Sequence, residues 1–151
     1  MPDFKRGPDP ANYAPFGKNE FRRSTKNEQF EHFTFSKEGI PSEQINGTTQ
    51  KVLQPGTVIA KITSGPEAGK VGVFQAEATD GRQTAANIVG LVDTFLPWQL
   101  LERDVEVAVL VHGRVVQAWC IEYNAAGARI PLTNTTAAEM VSKKTLSILF
   151  S

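Results

Sequence analysis

The stretch VEVAVLV, residues 105–111, decides the fold class of this chain. Valine stands at every second position, and this strict period of two places one face of a β-strand in a hydrophobic core. The pair His112-Gly113 follows and predicts a tight hairpin, with Gly113 at the position that needs a positive φ. RVVQAWCI (114–121) is then expected to be the returning strand.

Strand-like segments also lie on both sides of this predicted hairpin. They are TVIAKIT (57–63) after a Pro-Gly turn, GKVGVFQ (69–75) after SGPEAG, NIVGLV (87–92) after DGRQTA, and TLSILF (145–150). TNTTAAEMVSKK (133–144) is the one good helix candidate, because Thr136 and Glu139 have the spacing of a capping box. Short strands, glycine-rich turns and one short helix predict a mostly β fold, a small β-barrel or sandwich.

The first fifty residues differ in kind from the rest. They hold five of the nine prolines and six of the nine phenylalanines, and no helix or strand period persists in them apart from a short FEHFTF (30–35). Fixing one backbone residue costs about 1–2 kcal/mol, so this segment needs burial against something to become ordered. Disordered tails are usually poor in aromatic residues. A docking arm is therefore favoured over a flexible tail with incidental rings, and the chain divides into an extended N-terminal arm, 1–50, and a β-rich domain, 51–151.

The arm interpretation assigns a partner-binding role to seven aromatic residues and two arginines. The rings are expected to anchor in pockets of a partner, and the arginines to donate ion pairs. These residues are Phe4, Tyr13, Phe16, Phe21, Arg22, Arg23, Phe30, Phe33 and Phe35. In the β-domain, Trp98 follows a proline in the connection FLPWQ, where it either contacts another subunit or packs into the local core.

Bulk composition excludes several classes of protein. Sixteen basic and sixteen acidic residues balance, so no overall field attracts the chain to nucleic acid or to an anionic membrane. No apolar run approaches the ~20 residues of a membrane span, and the start lacks the apolar region of a signal peptide, so we expect a soluble intracellular product. The single cysteine, Cys120, excludes an internal disulfide and a multi-cysteine metal site, and its apolar neighbours predict a buried, inert thiol.

The sequence contains no motif that predicts catalysis or cofactor binding. GPEAGKV (65–71) resembles a phosphate-binding loop but has three residues between its glycines instead of four, and Val71 follows Lys70 where Ser or Thr is required. His32 and His112 lie in different halves without a neighbouring ligand cluster. The acidic residues Asp80, Asp93, Asp104 and Glu106 are expected in turns or on the solvent face. We therefore predict no enzyme activity, no catalytic residue, no metal site and no cofactor.

Three blocks of sequence, taken in order, resemble a known family. They are PGTVIAKIT (55–63), GKVGVFQAEATDGRQTAANIVGLVD (69–93) and DVEVAVLVHGRVVQ (104–117). The positions that carry the resemblance are Pro55, Gly56, Thr57 and Lys61, then Asp80, Gly81, Gln83, Thr84, Ala85 and Ile88, then Val109, Val111, Gly113 and Val115. They resemble the head decoration proteins of tailed bacteriophages, of the lambda type. Asn87 departs from the pattern, since glycine is common there, and the resemblance covers only residues 52–150.

The resemblance implies a structural role and a β-tulip-like body. Such proteins are homotrimers that bind the outside of an expanded icosahedral head at threefold and quasi-threefold positions and reinforce it against DNA pressure. The implied partners are the major capsid protein, reached by an N-terminal arm, and the protein itself, with no direct nucleic-acid or membrane contact. The implied location is the outer surface of the virion, after synthesis in the host cytoplasm.

Two alternatives stay open at this point: a phage tail, baseplate or other protein-binding β-module, and a small β-barrel enzyme or nucleic-acid binder. Under all three hypotheses the segment DGRQTA (80–85) is expected to form a turn, in which Asp-Gly supplies the bend and Gln83 and Thr84 satisfy neighbouring backbone groups.

Overall fold

The architecture is mostly β, as the sequence predicts, with one α-helix among the described residues. The computed structural model describes residues 20–45 and 47–151. The strands are β1 (Arg22–Phe35), β2 (Glu43–Ile45), β3 (Thr48–Gln50), β4 (Val58–Lys61), β5 (Val71–Val73), β6 (Ile88–Val92), β7 (Val105–Val115), β8 (Ile121–Tyr123), β9 (Arg129–Pro131) and β10 (Ser147–Phe150), and the helix is α1 (Asn134–Ser142). Within the described ranges, no helix has both the length and the apolar character that crossing a membrane requires.

Five of these strands close a ring. β4 pairs antiparallel with β5 and β6, and β6 pairs antiparallel with β7. β1 completes the circuit, because it runs antiparallel to β7 along most of its length and meets β5 at the parallel pair Phe35–Val71. β1 occupies one edge of β7. β10 pairs parallel with residues 112–115 at the other edge of β7 and extends the sheet there. The prediction of a small barrel is therefore confirmed.

The two faces of the sheet bury different hydrophobic clusters. In β4, Val58 and Ala60 point into one cluster and Ile59 into the other, as the period of two requires. The interior cluster fills the barrel and includes Phe35 and Leu100. The outer cluster lies between the other face of the sheet, α1 and β10, and its members are Phe21, Val58, Ala60, Ile88, Leu91, Leu110, Val111, Val115, Cys120, Leu132, Ala137, Met140, Leu146 and Ile148. Full burial of a valine, leucine, isoleucine, phenylalanine or methionine side chain stabilises a fold by about 1.5–3 kcal/mol. Both clusters therefore stabilise the closed ring.

A buried carboxylate fixes the start of α1. Thr133 caps the helix, since its hydroxyl oxygen accepts a hydrogen bond from the backbone N–H of Thr136 at 3.2 Å. Glu122 accepts two further bonds there, from the N–H of Thr133 at 2.7 Å and from the hydroxyl of Thr136 at 2.9 Å. The helix is confirmed, but the capping box expected from Thr136 and Glu139 is wrong, because Thr136 already lies inside the helix and donates to Glu122.

The predicted hairpin at His112-Gly113 is wrong. β7 continues to Val115, and His112 pairs with Gln29 of β1 on one edge and with Ser147 of β10 on the other. Pairing on both edges holds the backbone extended and overrides the local turn signal. The chain turns later, in the 3₁₀ turn Gln117–Trp119, so residues 114–121 do not form one returning strand.

The predicted division at residue 50 does not match the structure either. β1 lies within the first fifty residues, yet it is a wall of the barrel. Its pairing with β7 contains a bulge, because the five steps from Ser24 to Gln29 lie opposite only two steps from Arg114 to His112. This insertion interrupts the alternation of buried and exposed residues, which explains why no strand period persists in the sequence. The predicted extended arm therefore concerns residues 1–19, which lie outside the described residues.

Candidate partner-binding surface

Two of the predicted anchor rings belong to the core of the protein itself. Phe21 is 1% exposed in the outer cluster, and Phe35 is 0% exposed in the interior cluster. A ring that its own chain covers cannot enter a pocket on a partner unless the barrel opens. The assignment of Phe21 and Phe35 to capsid binding is therefore wrong. Phe4, Tyr13 and Phe16 lie outside the described residues, and their role stays a prediction.

The other two described rings lie on β1 and differ in exposure. Phe30, opposite Leu110 of β7, is 36% exposed and remains available for a contact. Phe33 is half-buried against the interior cluster. It also lines an open cavity of about 320 Å³ between β1, β4, β6 and the turn after α1, together with Glu31 and Lys61. Of the four predicted anchor rings in the described segment, Phe30 is the most exposed.

The two predicted arginines have partners within the chain. The guanidinium of Arg22 donates to Glu28 at 3.0 Å, and Asp93 and Glu20 lie within 4 Å of it. Burial opposes the charged form of Arg22, but the three carboxylates outweigh it and raise the pKa of Arg22. Arg22 is thus half-buried and already paired, which makes it a poor donor to a partner. Arg23 is exposed and bonds the hydroxyl of Ser151.

Trp98 lies on the surface rather than in the local core. It is 47% exposed, and the guanidinium of Arg103 lies 5.7 Å from the centroid of its ring. The next residues form the 3₁₀ turn Gln99–Leu101, in which Leu100 is buried in the interior cluster while Leu101 is exposed. Leu100 therefore anchors a turn next to which two apolar side chains and one cation lie at the surface. We call Trp98, Leu101 and Arg103 the Trp98 knob, and its contact with another subunit stays a prediction.

The DGRQTA segment forms a structural turn, as expected. Gly81 has φ +106°, and a Cβ there would lie 2.2 Å from the hydroxyl oxygen of Thr63, so only glycine fits. The side-chain oxygen of Gln83 accepts from the N–H of Gly81 at 3.0 Å. Asn87, which departs from the family pattern, donates to the carbonyl of Gly81 at 2.8 Å and closes the turn.

The charged pair of the same turn ties it to the barrel. Both carboxylate oxygens of Asp80 accept from Nε of Arg82 at 3.0 Å. Arg82 then donates from Nη1 to the carbonyl of Gly39 at 3.0 Å. Gly39 and Gly72 pack backbone against backbone, since a Cβ on Gly39 would lie 2.7 Å from the Cα of Gly72. The turn therefore fastens the segment after β1 to β5, and its charges serve the fold.

Lys70, in the loop that resembles a phosphate-binding loop, is also used internally. Its ammonium bonds the carboxylates of Glu67 and Asp104. The N–H of Lys37 donates to Asp104 at 2.9 Å, and this bond, together with the one from Lys70, lowers the pKa of Asp104. The loop 65–71 is thus a connection held to the start of β7.

The remaining candidates for chemistry show no assembled site. Cys120 is completely buried, and burial raises the pKa of its thiol, as expected of an inert cysteine. In the part of the chain that the structure describes, no three His, Cys, Asp or Glu side chains are grouped so that they could hold a metal ion. The charged residues described above make hydrogen bonds that stabilise turns and strands.

Three exposed apolar residues were not predicted from the sequence: Leu101, Val141 and Leu149. Leu149 of β10 is 59% exposed. The alternation of TLSILF could have predicted the exposure of Leu149, because the neighbouring residue Ile148 packs into the outer cluster and successive side chains of a strand point to opposite faces.

Comparisons with protein-family models, with curated proteins and with solved structures found no match for this chain.

Proposed function

We propose that the protein is a structural capsid decoration protein that binds the outside of an expanded phage head as a homotrimer and stabilises the shell against DNA pressure. The observation that carries this proposal is the ordered resemblance of three sequence blocks to the lambda-type decoration family. In the structure these blocks form β4 with the turn before it, the DGRQTA turn leading into β6, and β7. Together the blocks contain four of the five strands that close the ring, β4, β5, β6 and β7, so the resemblance covers most of one barrel rather than scattered fragments.

The internal use of charged residues favours a structural role over catalysis. The charged groups of segments 65–71 and 80–85 are Glu67, Lys70, Asp80 and Arg82, and each is bonded within the chain. A site for chemistry needs polar groups that are free to meet a substrate. The proposed role is therefore structural, without catalysis and without a cofactor.

The proposed capsid-binding segment is residues 1–19, with Phe4, Tyr13 and Phe16 as its anchors. Nineteen residues at ~3.3 Å each reach at most about 63 Å, enough to cross from the decoration protein onto a neighbouring capsid subunit. The segment is attached at Phe21, whose ring is buried and whose carbonyl accepts from the N–H of Val116 at 2.9 Å. Tension on the segment would therefore pass into the β1–β7 pair.

The Trp98 knob is the proposed contact between protomers of the trimer. Tryptophan and arginine are the residue types most enriched at energetically important interface positions. Three protomers held together present three N-terminal segments at once, so a modest affinity of each segment becomes slow release of the whole trimer.

Deletion of residues 2–19 tests the proposal. Because the deletion ends before Phe21 and β1, we expect a folded protein whose circular dichroism and unfolding midpoint match those of the full chain. We expect full-length protein, but not the truncated one, to cosediment with expanded heads assembled without the decoration protein.

A Val141→Ala variant of the full chain is the control, since it removes an exposed apolar side chain that lies outside the deleted segment and is not a predicted anchor, and we expect it to bind heads as the full chain does. Full occupancy of the heads by truncated protein would refute the role of residues 1–19. Failure of the full-length protein to bind expanded heads would refute the proposed function itself.

A further inference from the structure

A groove crosses β7 near its end, beyond the pairing with β6. One wall is the bulge of β1, which lies between the pairs Ser24–Arg114 and Gln29–His112, and the opposite wall is β10. The groove has a volume of about 180 Å³, below the ~300–1,000 Å³ of pockets that enclose drug-sized ligands. It can therefore hold a small ion or one end of a larger molecule.

Every polar side chain that lines the groove can donate a hydrogen bond, and none is a carboxylate. Lys26 and Asn27 belong to the bulge, His112 and Arg114 to β7, and Ser147 to β10. Because these donors lie on three strands, a ligand in the groove meets donors on more than one side. An anion with several acceptor oxygens is the chemical complement of such walls.

Arg114 differs from the other arginines that the structure describes. Each of the others has an oxygen acceptor of the chain within 4 Å of its guanidinium; they are Arg22, Arg23, Arg82, Arg103 and Arg129. The side chain of Arg114 is exposed and has no acceptor among residues 20–45 and 47–151. Lys26 is also exposed, and no carboxylate of the same ranges lies within 4 Å of it. Two cations in one groove are thus available to an anion.

The backbone of both walls is held by hydrogen bonds within the chain. In the bulge, Asn27 has φ +60°, and the N–H of Lys26 donates to the hydroxyl of Ser24 at 3.1 Å. On the other side, the parallel ladder with residues 112–115 of β7 holds β10. The walls are therefore formed before any ligand binds.

We propose that this groove binds a phosphate monoester. The phosphate group offers three acceptor oxygens and nearly two negative charges near neutral pH. The guanidinium fork of Arg114, the ammonium of Lys26 and a ring N–H of His112 donate to these oxygens from different sides. The organic part of the ester lies against Leu149, which is 59% exposed on the β10 wall. This site lies outside residues 1–19 and the Trp98 knob, so this proposal and the proposed function can fail separately.

Other anions fit the walls less well. A carboxylate has two acceptor oxygens in one plane and a single charge, so it leaves part of the donor set without a partner. A phosphodiester of nucleic acid also carries a single charge, and the groove walls contain no aromatic ring on which its bases could stack.

Nuclear magnetic resonance of the histidine rings tests the proposal on the full-length protein. The chain has two histidines, His112 in the groove and His32 outside it, so His32 is an internal control. Phenyl phosphate, inorganic phosphate, dimethyl phosphate and acetate are titrated separately at constant ionic strength and about pH 7.5, where monoesters carry close to two charges. We expect a saturable shift of the His112 resonances, unchanged His32 resonances, and the tightest binding for phenyl phosphate, with half-saturation at least about tenfold below that of acetate and dimethyl phosphate.

The variants Arg114→Gln and Lys26→Gln assign the site. Both side chains are exposed, so we expect folded proteins whose half-saturation by phenyl phosphate rises at least about fivefold. Lys144→Gln removes an exposed charge outside the groove and should change it by less than about twofold. Tighter binding of inorganic phosphate than of phenyl phosphate would overturn the ester assignment, and equal binding of acetate or dimethyl phosphate would overturn the preference for two charges. No saturable shift of His112, or an equal shift of His32, would overturn the site itself.

Discussion

Replacement of Phe35 by alanine tests whether β1 belongs to the barrel. Phe35 is 0% exposed, and it is the residue at which β1 meets both β5, at Val71, and β7, at Val105. Truncating a buried phenylalanine removes its transfer free energy and leaves a cavity, which together reduce the free energy of unfolding by about 3–5 kcal/mol. Phe30→Ala on the same strand removes a ring that is 36% exposed, so we expect a loss of less than about 1 kcal/mol.

Equilibrium unfolding in urea, followed by tryptophan fluorescence and circular dichroism, measures this difference. With a urea dependence of about 2 kcal/mol per M, a loss of 4 kcal/mol lowers the midpoint by roughly 2 M. If Phe35→Ala does not fold, Phe35→Leu gives a smaller cavity and an expected loss of about 1–2 kcal/mol. Equal effects of Phe35→Ala and Phe30→Ala would refute the placement of β1 in the core and restore residues 1–50 as a separate arm.

Three further results are expected. Glu122→Leu should reduce the free energy of unfolding by about 1–3 kcal/mol, because it leaves the N–H of Thr133 at the start of α1 without its acceptor; Glu139→Leu on the exposed side of the helix is the control, and equal stability of the two variants in urea would contradict the capping arrangement. Asp104 has a lowered pKa in the folded state, so its contribution to stability is present above its ordinary pKa of 3.8 and is lost as the pH falls through the lower folded value; the difference in unfolding midpoint between wild type and Asp104→Asn should therefore shrink below about pH 4, and a difference that grows there would contradict the sign. Trp98→Ala should leave the free energy of unfolding of the monomer within about 0.5 kcal/mol of wild type but reduce the trimer fraction in analytical ultracentrifugation, and an unchanged trimer fraction would show that the Trp98 knob is not part of the interface.

Most of the barrel could be predicted from local patterns. The valines of β7 and the strands next to Gly56, Gly69 and Gly81 lie where alternation and turn residues place them. Gly113 misled the sequence analysis, because a histidine-glycine pair is a turn signal only when no neighbouring strands hold it extended. Only the last six residues of β1, FEHFTF (30–35), show a strand-like pattern in the sequence, and the bulge interrupts the pattern before them.

The candidate binding residues could be predicted only in part. Phe21, like Phe16, lies in a segment without a helix or strand period, and sequence does not tell whether a ring fills a pocket of its own chain or of another. The exposure of Trp98 depends on the burial of Leu100 next to it, which is a tertiary contact. The groove over β7 combines side chains of β1, β7 and β10, which are distant in the sequence, and no short motif encodes it.

Cryo-electron microscopy of expanded heads mixed with the full-length protein tests the proposed function most directly. The account predicts trimeric density at the threefold positions, with the barrel outside the shell and residues 1–19 lying in extended conformation on the major capsid protein. Bare threefold positions at saturating protein, or a bound barrel whose first nineteen residues touch no capsid subunit, would contradict it.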